Sequence, residues 1–197
     1  MSKFIARFFG NKTEVDVLRM ELQARLSFQL SQSDTSLLLG YAQANRLGEL
    51  GNFQKEIASC SMYTPWSVAK EVQMLQHYVE HMQDIQTEEF YLQFNAKVSD
   101  HPAHIEPLML FPLIQNAVKN GYASMAKFPI KVRISASEGG ILLEVSNRVN
   151  HYVENQGEDE LITYYRERLQ LFHPDRHELF VNSNSQTFKA TLFLKYE

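Results

Sequence analysis

The chain has 197 residues, of which 44% are hydrophobic and 21% charged, and it carries a formal charge of −4. That length allows one large or two small domains with a real core, and the acidic balance argues against a nucleic-acid partner. No apolar run approaches the roughly 20 residues of a membrane helix, and the single cysteine, Cys60, excludes an intramolecular disulfide and suits a reducing, cytoplasmic compartment.

Residues 1–10 mix basic and aromatic side chains, Phe4, Arg7, Phe8 and Phe9 among them. The segment lacks a cleavage signature and does not read as a signal peptide. Weak contact with a membrane surface is its sharper reading, and local packing or fraying its plainer one.

From Val15 onward, Leu18, Leu22, Leu26, Leu30, Leu37 and Tyr41 recur at helical steps. This predicts a core-facing helix interrupted at Ser33 and Asp34 and ended by Gly48 and Gly51. Thr64-Pro65 is a start signal for a second helix, a capping hydroxyl followed by proline in the first turn. Val68, Val72, Leu75, Val79 and Met82 then step 4, 3, 4, 3 along a narrow seam. Two antiparallel helices cannot bury both stripes, so a homodimeric four-helix bundle is expected of residues 1–88.

The second part, residues 89–197, changes period. Phe90 to Val98 and Ile130 to Ile134 alternate as strands do. Gly139-Gly140 is a hairpin turn leading into Ile141 to Val145. Glu160 to Phe172 is helical, with Leu161, Tyr165, Arg168, Leu169 and Phe172 on one side. Leu179 to Val181 and Phe188 to Leu194 pair around Asn182 to Gln186. The expected class is α+β, a helical hairpin followed by an α/β sandwich.

The most informative stretch lies between. Pro107-Leu108-Met109-Leu110-Phe111-Pro112-Leu113-Ile114-Gln115-Asn116-Ala117-Val118-Lys119-Asn120-Gly121 reads as an apolar helix with a polar stripe. Asn116, Lys119 and Asn120 share a face by i, i+3, i+4 spacing, a set that a metal-nucleotide phosphate site would use. Gly121 ends the helix as a C′ glycine does. No carboxylate stands in the stripe to accept a proton.

This stretch, between a helical hairpin and a sandwich, resembles the LytS-type sensor histidine kinases. In that family a dimerisation and phosphoacceptor hairpin precedes a GHKL-type ATPase domain. Val68, Glu71, Leu75 and Tyr78 fall on its Leu-x-x-Glu-Leu and Tyr-Leu pattern, and Arg166 to Pro174 is similar to its helix behind the nucleotide lid. The resemblance runs from about Leu22 to Tyr196.

Four departures accompany it. Gln23-Ala24-Arg25-Leu26-Ser27-Phe28-Gln29-Leu30-Ser31 occupies the acceptor motif, with Gln29 in the histidine's place. An amide forms no phosphoramidate. Gln115 stands where the general base Glu is expected, a change that costs roughly 10²–10⁴-fold where proton transfer matters. Asn147 replaces the adenine-contacting Asp, and Val149 and His151 replace glycines after it. Glu158, Asp159 and Glu160 fill the lid, where bare glycine amides would hold phosphate and carboxylates repel it.

The resemblance with its departures implies a pseudokinase in two-component signalling, a binding scaffold without a catalytic residue. Asn116, Lys119, Asn120 and Asn147 would be nucleotide-binding remnants. No cofactor is expected; Mg-ATP, with Asn116 at the metal, is the option against it. The implied partners are a second copy and a receiver domain or an active histidine kinase. The alternative is a diverged ATP-binding kinase or phosphotransferase using His77 or His81. These two lie at i, i+4, as a metal pair would, but a third ligand is not evident and surface solvation is the plainer reading. A further idea has Gln29 or Gln32 positioning water against a phosphoaspartate. His173 and His177 read as loop polarity, and Met74, Met82 and Cys60 as core filler.

Overall fold

A computed structural model describes residues 13–85, 89–99, 103–150 and 160–196. Residues 1–10, His151, Glu158 and Asp159, each given a reading above, lie outside them. The architecture is α+β, a helical N-terminal part followed by a mixed sheet, as expected.

Thr13 opens helix α1 (Glu14–Gln32) with a full capping box, its hydroxyl and the Asp16 carboxylate each taking the other's backbone amide. The chain breaks at Ser33, as expected, and Asp34 caps α2 (Thr35–Gln43) by accepting from Leu37 N at 2.9 Å. Gly51 does not end a helix. It begins α3 (Gly51–Ser59), after a 3-10 turn over Leu47–Leu50. Thr64-Pro65 leads first into a short strand, β1 (Trp66–Ser67), and only then into α4 (Val68–Ile85).

The main sheet runs β2 (Leu92–Val98), β5 (Ile130–Ser137), β6 (Gly140–Val149), β8 (Thr187–Leu194), β7 (His177–Ser183), with β4 (Gly121–Tyr122) paired to β6. β2 and β5 are parallel and the other pairs antiparallel. A separate pair joins β1 to β3 (His104–Ile105). Gly140 turns the β5–β6 hairpin at φ 138°, a region that side chains avoid. Helices α4, α5 (Phe111–Asn120) and α6 (Glu160–Phe172) cover one face of the sheet, and α1 lies along α6 as an outer layer. The alternation of β5, buried at Ile130, Val132, Ile134 and Ala136, follows from that one-sided cover.

Two expectations about the helices need correction. The seam Val68, Val72, Leu75, Val79, Met82 is buried inside the single chain, in one continuous core with Ile130, Val132 and Leu143. It therefore does not wait for a second copy. In α1 the expected stripe faces outward: Val15 is 73%, Leu18 52% and Leu22 59% exposed, and Leu30 is exposed too. The buried side is Val17, Met20, Ala24, Ser27, Phe28 and Ser31. Small residues on that side let α1 approach α6 closely, while the larger leucines remain outside. β2 also departs, since its far end at Ala96 and Val98 is exposed.

Candidate functional site

Helix α5 begins without a side-chain cap of its own, and Pro112 in its first turn removes one amide that would need a partner. Its start is held by two buried charged residues from other helices. The Glu71 carboxylate of α4 accepts from Leu108 N at 2.8 Å and Leu110 N at 2.9 Å. That places an acid at the positive end of the α5 dipole. The Arg168 guanidinium of α6 donates to Leu108 O at 3.1 Å and to Pro107 O. Between them Leu108 sits at φ 58°, left-handed for a leucine. Burial pushes the Glu71 carboxyl up to about 7 and the Arg168 guanidinium down to about 10. Periodicity placed Arg168 in a helical stripe, and Glu71 entered only through the kinase-like pattern; neither was assigned this role. The signal was present: a charge at an apolar position needs a buried partner.

Farther along α5, Gln115 is buried and its Nε2 donates to Ser31 O at 3.0 Å. Ser31 belongs to the last turn of α1, where backbone carbonyls lack helical partners. Gln54 Nε2 meets the next one, Gln32 O, at 3.1 Å. The Gln115 side chain thus satisfies the end of α1, a task that needs a donor. An ionised glutamate has none. Gln29 is exposed, whereas Phe28 is buried with Arg168 5.0 Å from its ring centre.

The remaining site residues divide. Asn116 is buried and its Oδ1 accepts from Asn120 Nδ2 at 2.7 Å, so the two amides pair with each other. Lys119 is exposed on the next side of the helix. Asn147 is buried on β6, its Nδ2 donating to Arg148 O at 2.9 Å, and its Oδ1 has no hydrogen-bond partner among the described residues. Gly121 ends α5 in extended conformation, φ −84°, instead of left-handed. What requires glycine is space: a Cβ there would lie 2.2 Å from Ala117 O and 3.1 Å from Asn147 Cβ.

Gln115 and Lys119 border a hollow of about 150 Å³ with the α1–α2 junction and Leu161. Pockets for small ligands span roughly 300–1,000 Å³. Two of its lining residues are acids, Asp34 and Glu160, and Asp34 is already engaged by Tyr78 Oη at 2.9 Å.

His77 and His81 stand side by side on α4. His81 Nδ1 is 2.5 Å from Tyr41 Oη, and burial lowers its pKa. His77 is exposed beside it, and no cluster of three metal-ligating side chains forms among the described residues. His173 is not loop polarity: it is buried, with Nε2 2.7 Å from Glu106 Oε2. Met74 and Met82 are core residues, as expected, and half-buried Cys60 has its thiol pushed up to about 11 by burial, which makes it a poor nucleophile. No helix among the described residues is long and apolar enough to cross a membrane.

No family model matches the chain, and no curated protein does. Among solved structures it is similar to the Acinetobacter baumannii histidine kinase AdeS, at 10% identity and a TM-score of 0.49 over 92% of this chain and 79% of that one. It is similar to the blue-light activated histidine kinase of Erythrobacter litoralis at 12% identity and a TM-score of 0.47, over 98% and 95% of the two chains. A histidine kinase from Burkholderia phymatum is similar at 10% identity and 0.44, over 94% and 99%.

Proposed function

We propose that this chain is a histidine-kinase-like signalling protein of the two-component type that works by binding, as a regulatory scaffold, and does not phosphorylate itself. The observation that carries the reading is the bond from Gln115 to Ser31. A general base must carry a lone pair basic enough to take up the proton it removes, and an amide oxygen is not. The side chain at that position instead donates to a backbone carbonyl and fastens the acceptor-like helix to α5. Gln29 then points to solvent. The small acidic hollow beside Lys119 supports a chain that works without Mg-ATP.

The binding surface is the outward stripe of α1. Val15, Leu18, Leu22 and Leu30 are large exposed apolar side chains on one side of α1, with half-buried Leu26 between the last two. Such rows mark association sites more often than they stay in water. The stripe forms the homodimer, in place of the buried α4 seam, and the chain acts in the cytoplasm on a receiver domain or an active histidine kinase. The test is incubation of the full chain with radiolabelled ATP and magnesium. The expected result is no acid-labile phosphate on the protein. Label that survives base and is lost in acid overturns the reading.

A further inference from the structure

The uncovered face of the sheet carries a second, unrelated feature. Lys131 on β5, Ser146 on β6 and Lys189 on β8 are neighbours in one row of the ladder. The small Ser146 leaves a gap between two long cationic side chains. Arg148, two residues along β6 on the same face, stands 4.5 Å from the ring centre of Phe128, and Lys127 is 5.5 Å from that ring. These residues line a hollow of about 310 Å³, twice the size of the one beside Lys119 and within the range of small-ligand sites.

The charge balance here opposes that of the whole chain. Four cations meet in a protein with a formal charge of −4. The neighbouring acid is Glu144, already shared by Lys189 at 3.0 Å and Arg133 at 3.4 Å. Lys131 has no acidic partner among the described residues. Repulsion within such a group works against folding, and an anion seated between the cations relieves it. Contact with the Phe128 ring holds the Arg148 guanidinium in place, so less freedom is lost when it donates. The Ser146 hydroxyl supplies a neutral donor at the floor.

We propose that this hollow binds a small, multiply charged anion bearing phosphate groups. The inference does not rest on the pseudokinase reading: Asn147 also borders this hollow, but none of the hollow's cations belongs to the Gln115–Lys119 stretch.

The experiment is calorimetric titration of the full chain with sodium tripolyphosphate in low salt. Saturable binding is expected, weakened at least tenfold in the Lys131→Glu/Arg148→Glu double variant and unchanged in Lys119→Ala. Raising the salt tenfold weakens it further, as for any ion-driven contact. Both reversed side chains lie on the open sheet face, and circular dichroism verifies that the variant folds. Absence of saturable binding up to millimolar ligand overturns the proposal. So does binding that survives the double reversal or disappears in Lys119→Ala, and so does equal affinity for sulfate at matched ionic strength.

Discussion

Glu71 and Arg168 grip one turn of backbone from opposite sides, the carboxylate taking its amides and the guanidinium its carbonyls. A buried ion pair can often be exchanged for apolar residues without loss. Here the exchange strands the backbone groups of Pro107, Leu108 and Leu110, which have no other route to solvent. Arg168→Ala should cost about 3–5 kcal/mol. The Glu71→Met/Arg168→Met double variant should remain destabilised by at least about 2 kcal/mol, the cost of unsatisfied buried groups. Urea unfolding measures both. Recovery of wild-type stability in the double variant would show that the turn does not need the pair.

The same pair sets a pH dependence. Burial raises the Glu71 carboxyl from 4.5 to about 7, outweighing the amides and Arg168, which pull the other way. Folded chain therefore keeps a proton that unfolded chain has released. The stability linked to that proton is full below 4.5 and is lost as the pH climbs toward 7. Relative to Glu71→Gln, wild type should lose on the order of 2–3 kcal/mol across this window. Unfolding of both proteins at half-unit steps from pH 4 to 8 gives the difference directly. A flat or rising difference would contradict the assignment.

Gln115 is predicted to be needed as a donor. Gln115→Glu places a carboxylate against Ser31 O, at the negative end of the α1 dipole, and should destabilise by about 1–3 kcal/mol above pH 6. Gln115→Met should cost less than Glu does, since it adds no charge. Thermal unfolding ranks the two, and a glutamate variant as stable as wild type would remove the structural role.

The outward stripe of α1 predicts a separation between assembly and folding. Leu18→Glu/Leu22→Glu should shift light scattering toward the monomer while leaving the unfolding free energy, measured at a dilution where wild type is also monomeric, within about 0.5 kcal/mol of wild type, as exposed positions do. An unchanged mass would place any dimer interface elsewhere.

The strands were legible because one-sided burial writes a period of two into β5 and β6, and Gly139-Gly140 marks their hairpin. α6 was legible as an element for the same kind of reason. The facing of α1 was not. Its leucines form the stronger stripe, yet close approach to α6 favours Ala24, Ser27 and Ser31, and periodicity cannot see which neighbour a helix meets. α3 was lost because Gly48 and Gly51 read as stops, whereas Gly51 opens that helix. At the candidate site, the absence of an acid at position 115 was visible in the residue alone. The partner of Gln115, 84 residues earlier in the chain, was not. The basic hollow was hidden for a similar reason, since Lys131, Arg148 and Lys189 become neighbours only through strand pairing.

The claim that the catalytic parts have been converted to structural use is tested most directly by Gln29→His/Gln115→Glu, assayed beside wild type with radiolabelled ATP and magnesium. The account predicts no phosphohistidine on either protein, together with reduced stability of the variant. Acid-labile label on the variant would contradict it.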